Sequence, residues 1–418
     1  MHHMLLPLIS LFISLSFISG GNSYLITLIG IHLGEKSVEP LHVGYVMSCY
    51  SLGFVIGTLL TPKLLLKVGH IRAFAAMASM AGMAAISYPM SDELMFWAAL
   101  RIIGGFFVAG LYLVIESWFS AISTPQNRSS IFSFYLLATY SASAVGQLTV
   151  GYSVAMGTYI AFAVGGMMIL SSSIPLSISS RQSPSVDESG SMNPFRMARR
   201  ALLGLVGALV GGFLLGAFYG LIPLYGTMTG LSSQNIGTLM SISVTAAMIF
   251  AWPIGWLADR VPRSSVMLGL TLVGAASSLM TMLFGGHLPE LLYICVPLIM
   301  ATSASIYSMA FAITHDLVEN HERIGASSTL LLVYGVGSIL GPLIGSWVMQ
   351  EIAPAALFAC FVVVLSVLVA ITLYRQAKQA PIPVEYQEQV MPVIPEAQVN
   401  AELIPLDEPS EEDALLRE

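Results

Sequence analysis

Twelve apolar stretches, each about as long as a bilayer is thick, constrain this chain more than any other feature. Cut at its polar breaks, the sequence places them near 5–31, 42–66, 70–89, 93–119, 129–150, 158–178, 200–224, 234–257, 265–285, 290–313, 326–349 and 354–374. A helix needs about 20 apolar residues to cross the hydrocarbon core. Lipid offers the backbone no hydrogen-bond partners, so each stretch must satisfy its own amides as a helix. No stretch alternates with the period of two that a membrane β-barrel requires. Of the 418 residues 56% are hydrophobic and only 9% charged, against about 25% charged in soluble domains. The first span has neither a clear basic leader nor a small-residue cleavage site and is too long for a signal-peptide core, so it is expected to be retained.

Basic residues set the orientation. With the N-terminus inside, fourteen of the sixteen Lys and Arg fall in cytoplasmic loops, at span ends or in the tail. Lys36 alone lies outside, and Arg101 falls within a span. That bias predicts a multi-pass protein of the cell (inner) membrane with both termini cytoplasmic. Asn127-Arg128-Ser129 has the glycosylation pattern but sits on the wrong side for it. The longest internal polar segment divides six spans from six. The expected organisation is a bundle over 1–178, a cytoplasmic linker over 179–199, a second bundle over 200–375 and a tail over 376–418. Ten acids, several prolines and few aromatics mark the tail as disordered. It is either a solvated extension or a regulatory, partner-binding one.

The halves carry a weak internal repeat. Val43-Gly44-Tyr45-Val46-Met47-Ser48 opens span two, and Ile236-Gly237-Thr238-Leu239-Met240-Ser241 opens span eight at an offset of 237 − 44 = 193. At the same offset Lys67-Val68-Gly69-His70 falls on Arg260-Val261-Pro262-Arg263. Repeated halves entering from the same side suggest a duplicated transporter. The second copy of that loop runs Gly255-Trp-Leu-Ala-Asp259-Arg260-Val-Pro-Arg263. A charge cluster at the end of a hydrophobic span is costly unless paired or hydrated, so it marks a working part.

Twelve spans in two halves, with Gly255-x-x-x-Asp259-Arg260-x-x-Arg263 between spans eight and nine, resemble the major facilitator superfamily. Its signature loop is G-x-x-x-D-R-x-G-R-[KR]; here Pro262 stands for the later glycine and Ser264 for the last base. The first-half copy has Leu66 where the acid belongs. Arg101-x-x-Gly104-Gly105 in span four is similar to the family's R-x-x-Q-G, with Gly104 for Gln. Several strings resemble the YcaD-type branch of bacterial members: Gly57-Thr-Leu-Leu-Thr61, Val114-Ile-Glu116-Ser117, Gly220-Leu-Ile-Pro-Leu-Tyr225, Trp252-Pro-Ile-Gly255 and Gly337-Ser-Ile-Leu-Gly341-Pro342. The resemblance implies an all-α fold of twelve transmembrane helices in two six-helix halves, with spans one, four, seven and ten lining a central path. It also implies that Asp259, with Gly255, Arg260 and Arg263, forms a gating element. In that element Asp259 latches onto the start of span eleven near Gly325-Ala326 when the inner gate is closed.

Among the ionisable residues, Arg101 and Glu116 are the leading functional candidates; both are expensive within a span, and an intramembrane charge is a functional-site hypothesis. Their separation of fifteen puts them about 60° apart on the helix and about 22 Å along it, with Tyr112 between. Arg101 either attracts an anionic group of the cargo or favours ionisation of a nearby acid. Glu116 is a candidate proton site, because desolvation disfavours the charged form of a carboxyl. It can equally lie at the boundary and snorkel, or pair with Arg128. Asn22, Tyr24 and Thr27, Tyr135, Tyr140 and Gln147, Tyr219 and Tyr225, Tyr307 and Ser308, and Tyr334 are candidates for a moderately polar, aromatic-rich pocket. For each of them alone, helix packing is the competing reading. His315-Asp316 is either a boundary pair or a proton relay. Gly337-x-x-x-Gly341-Pro342 either carries an antiporter-like pattern or permits close packing.

No nucleotide-binding loop, metal-ligand cluster or paired nucleophile and base occurs in the sequence, so no cofactor and no enzymatic activity are expected. The leading expectation is a secondary active transporter of a small organic solute, with protons as a candidate coupling ion. Its expected partners are that solute and the lipid bilayer; nucleic acid is not one, and a monomer is expected. The alternative is a transporter-like sensor or scaffold that signals through the acidic tail. Deleting 377–418 separates the two, because only the second loses its output.

Overall fold

The computed structural model describes residues 2–123, 127–177, 201–318 and 322–378, with the side chains of 2–7, 128, 129 and 324 outside that description. The linker over 179–199 and the tail beyond Lys378 lie outside the described residues. Those described are helical, with short turns between. Twelve long helices carry the fold: α1 His2–Glu35, α2 Pro40–Val68, α3 His70–Ser87, α4 Leu94–Ile122, α5 Arg128–Met156 and α6 Thr158–Ser171 form one half. The other half comprises α7 Leu202–Met228, α8 Ser233–Ala258, α9 Arg263–Phe284, α10 Pro289–His315, α11 Arg323–Glu351 and α12 Ala356–Lys378. The expected span over 158–178 is thus α6 plus a short second helix, Ser173–Ser177. Eleven of the helices, the sixth taken with its short extension, are long and apolar enough to cross a membrane. The twelfth, α5, is diluted by serines, threonines and tyrosines.

Local chemistry sets the helix ends. Pro40 and Pro289 sit in the first turns of α2 and α10, where the missing N–H costs nothing. Ser232 caps α8 by accepting from the Asn235 amide. The two copies of the repeated loop turn differently. Gly69 stops α2 at φ 82°, a conformation that favours glycine, whereas its counterpart Pro262 precedes α9 at φ −51°.

Packing repeats in the two halves. In the first, α2 lies on α4, α1 on α5, and α3 on α4 and α6; in the second, α8 lies on α10, α7 on α11, and α9 on α10 and α12. Gly337 and Gly341 bring α11 so close to α7 that an added Cβ would strike the carbonyl oxygens of Leu209 and Phe213. Close packing accounts for that glycine spacing. The halves meet where α2 crosses α11, α5 crosses α8 and α1 touches α7. These crossings lie toward the end that carries the turns 36–39, 229–232 and 352–355. There the Leu41 amide donates to Gln350 (3.1 Å), Ser233 to Glu35 (2.6 Å) and Gln234 to Tyr152 (3.2 Å). Deeper, Ser48 donates to the Ile339 carbonyl, and Ser141 to the Met248 sulfur. Helices α1, α4, α7 and α10 are the most enclosed of the spans, so they surround the molecular axis.

Candidate functional site

Helix α4 carries the charged side chains to the axis. Arg101 lies two turns from its start and is 4% exposed. It borders an open cleft between the halves. Ile26, Met47, Tyr50, Ser51 and Phe54 contribute from the first half, and Leu215, Tyr219, Tyr334 and Ser338 from the second. The guanidinium sits 4.4 Å from the Tyr50 ring centroid, and its Nη2 donates to the Met47 thioether at 3.5 Å. Its Nε has no partner, and no carboxylate pairs with it among the described residues. Tyr50 in turn donates to Asn22 Oδ1 at 2.9 Å, which holds the ring beneath the cation. The Tyr88 hydroxyl is within hydrogen-bonding reach of the guanidinium as well, but a phenol, a thioether and a ring quadrupole carry no negative charge and are weak partners for a buried cation.

Glu116 is 1% exposed, so it neither snorkels nor reaches water. Tyr135 of α5 donates to its Oε1 at 2.9 Å, and its Oε2 has no partner. One turn toward Arg101, Tyr112 donates to Ser19 of α1 at 3.1 Å. The acid, the two phenols and the serine therefore form a polar seam inside the first half, linking α4 to α5 and α1.

The remaining sequence candidates separate. Tyr219 and Tyr334 face the cleft, and Tyr307 stacks edge-on against Tyr334 with centroids 5.0 Å apart. Tyr225 does not join them. Six residues from Tyr219, it is turned about 240° around α7, and it packs against Phe358 of α12. Tyr24 bonds Ser153 and the Ala161 carbonyl inside the first half. Gln147 is fully buried where α5 crosses α8, its backbone carbonyl against Gly237, and neither amide atom has a partner.

At the other end of the molecule Gly255 is buried and Asp259 is exposed, closing α8 with its amide on the Gly255 carbonyl (3.1 Å). Arg260 stacks on Trp256 and donates to its carbonyl. Arg263 is more than an anchor of positive charge: it is 3% exposed, forms an ion pair with Asp316 and donates to the Ala312 carbonyl at 3.0 Å. His315 bonds the Phe311 carbonyl through Nδ1 and Ser327 through Nε2. Together these contacts tie α9, α10 and α11. Sequence reasoning named Arg263 and Asp316 separately and did not pair them. It also missed Met47 and Tyr50, ordinary members of an apolar run whose role comes only from the helix opposite.

Comparison with known proteins gives a consistent result. The family model described as Major Facilitator Superfamily matches residues 11–234 and 205–406. An uncharacterized MFS-type transporter of Enterobacter sp. (strain 638) is 29% identical over 383 residues, spanning 91% of this chain and 98% of that protein. The uncharacterized MFS-type transporter YcaD of Salmonella enteritidis PT4 is 29% identical over 382 residues, with the same shares. Among solved structures, the nucleoside transporter NupG superposes with a TM-score of 0.71 at 15% identity, over 90% of this chain and 99% of that one. A bacterial homolog of the human lysosomal transporter Spinster, inward-facing and occupied, gives 0.71 at 12%, over 92% and 98%.

Proposed function

The chain belongs to the Major Facilitator Superfamily, and on that premise we propose that it is a secondary active transporter of a small organic solute bearing an anionic group. The observation that carries the reading is Arg101, a buried guanidinium with no acid beside it among the described residues, at the boundary of the two halves. Leaving a buried cation uncompensated is costly. A carboxylate, sulfonate or phosphate on the cargo would supply charge-assisted bonds in a fork geometry that guanidinium favours. Tyr50 and Met47 on one half and Tyr219 and Tyr334 on the other let one solute touch both. Cargo that binds one arrangement of the halves better than the other shifts their equilibrium, which is what alternating access requires.

With both termini in the cytoplasm of a bacterial inner-membrane protein, the meeting end of the halves faces outward, and the arrangement corresponds to an inward-facing state of a rocker switch. The working unit is a monomer of two bundles, 1–178 and 200–375, joined by the 179–199 linker, with the tail 376–418 dispensable for flux. Protons are the proposed coupling ion. Glu116, buried with the Tyr135 phenol as its donor among the described residues, changes charge state when rocking changes its access to solvent. Asp259 is the proposed latch of the closed inner gate.

Flux in proteoliposomes tests this reading. A panel of organic carboxylates, sulfonates and phosphates, each beside its neutral amide or alcohol, should show transport of anions over neutral isosteres. Arg101→Ala should remove that preference. Equal flux of the neutral compounds would end the anion reading. Retention of full pH-dependent flux by both Glu116→Gln and Arg101→Ala would end the proton one.

A further inference from the structure

Two of the crossings that join the halves are built on one plan. In α2 a Cβ on Gly44 would strike the Pro342 carbonyl oxygen of α11, and in α8 a Cβ on Gly237 would strike the Gln147 carbonyl oxygen of α5. Gly44 and Gly237 are partners in the internal repeat at 237 − 44 = 193, and Gln147 and Pro342 lie at nearly the same offset, 342 − 147 = 195. Pro342 and Gln147 therefore hold equivalent places, one in each crossing. Their surroundings differ in chemistry. Where α2 meets α11, the polar group turned toward the other half is Ser48, satisfied by the Ile339 carbonyl at 2.8 Å. Where α5 meets α8 it is Gln147, fully buried, with no bond to its amide oxygen or nitrogen among the described residues. Gly151 lies one turn along α5 on the same face. It abuts the Gln234 backbone so closely that an added Cβ would strike it. The amide is thus shut into a contact of backbone against backbone. A buried polar side chain without a partner is uncommon and costly, and this one lies on a surface that is covered only while the halves touch.

We infer that Gln147 is the release element of the seam between the halves. Closing the seam takes the amide from water and gives it no protein partner in return. The residue therefore disfavours the sealed arrangement against the parted one, by roughly tenfold in their equilibrium. The α2–α11 crossing holds the seam shut, and the α5–α8 crossing keeps it from holding too firmly. This rests on the proposed rocking of the halves and is independent of what the cargo is.

Ser48→Cys, in a full-length chain whose native cysteines are serine, reports on the seam from the other crossing, away from any local effect of substituting Gln147. The test is labelling by a membrane-impermeant maleimide in right-side-out vesicles, normalised to labelling after denaturation. Met and Glu both approximate the shape of Gln, so polarity changes while size is held. Gln147→Met should lower labelling about fivefold or more, because the seam then closes on an apolar side chain. Gln147→Glu should raise it about fivefold or more, because a carboxyl is harder to take from water than an amide. Unchanged or increased labelling in Gln147→Met overturns the inference, as does unchanged or decreased labelling in Gln147→Glu. Gly44→Val, which obstructs the α2–α11 crossing, separates this failure from that of its premise. If it raises labelling while Gln147→Met does not lower it, only the role of Gln147 fails. If it too leaves labelling unchanged, the seam does not open, and the rocking reading falls with the inference.

Discussion

At the scale of single residues, the two deeply buried arginines contrast. Arg263 and Asp316 compensate each other with side chains 3% and 4% exposed. Asp316→Asn should therefore lower thermal stability by about 3–5 kcal/mol, because the guanidinium is left buried and unpaired. The double variant Arg263→Leu/Asp316→Leu should be more stable than Asp316→Asn, and melting curves in detergent give the comparison. Arg101 has no such acid, so its removal leaves no orphaned charge. Arg101→Met should keep or raise the melting temperature while weakening binding of organic anions by about tenfold or more. A melting temperature that falls as far as that of Asp316→Asn would identify Arg101 as a structural cation rather than a ligand-binding one.

At the scale of helices, the crossing of α2 and α11 requires close approach. A side chain on Gly44 would collide with Ser346 and the Pro342 carbonyl. Gly44→Val should keep that crossing from closing. Ser48, whose hydroxyl spans the seam to Ile339, makes a reporter as Ser48→Cys once the native cysteines are replaced by serine. Its labelling by a membrane-impermeant thiol reagent from outside should rise several-fold in the Gly44→Val background. The opposite end is asymmetric in its residues, since the acid of the repeated loop exists only at Asp259 and its counterpart is Leu66, 58% exposed. Asp259→Asn should move the population inward-open and lower labelling of Ser48→Cys, while Leu66→Asp should oppose that shift. Unchanged labelling in Asp259→Asn would leave the loop with a topological role alone.

At the scale of the whole molecule, the proposed rocker switch requires the halves to separate where they now meet. Leu41 and Gln350 are in contact across that seam. Leu41→Cys/Gln350→Cys, bridged by a short bifunctional thiol reagent with a cleavable disulfide, should stop flux. Reductant should restore it, and either cysteine alone should be insensitive. Continued flux in the bridged protein would mean that the seam does not open during transport.

Much of the fold was legible along the chain. Lipid imposes a local rule, a long apolar run that satisfies its own amides, so the number of spans, their helical state and the division into halves follow from neighbours in sequence. Even α5, whose serines and tyrosines weaken its apolarity, lies where the polar breaks required a span. The positions of Arg101 and Glu116 were legible too, because a charge within such a run is conspicuous. Their partners were not. Tyr50 lies 51 residues from Arg101, Tyr135 lies 19 from Glu116, and Asp316 lies 53 from Arg263, and each pair joins two helices. Tyr219 and Tyr225 look equivalent in sequence, yet one faces the cleft and the other Phe358, because the rotation of α7 is set by what packs around it. The sequence by itself determined the solvent, the helices and the charges placed inside them. Tertiary structure decided which charges are compensated, where space remains and which end of the halves is sealed, because those properties arise between helices and leave no pattern within one.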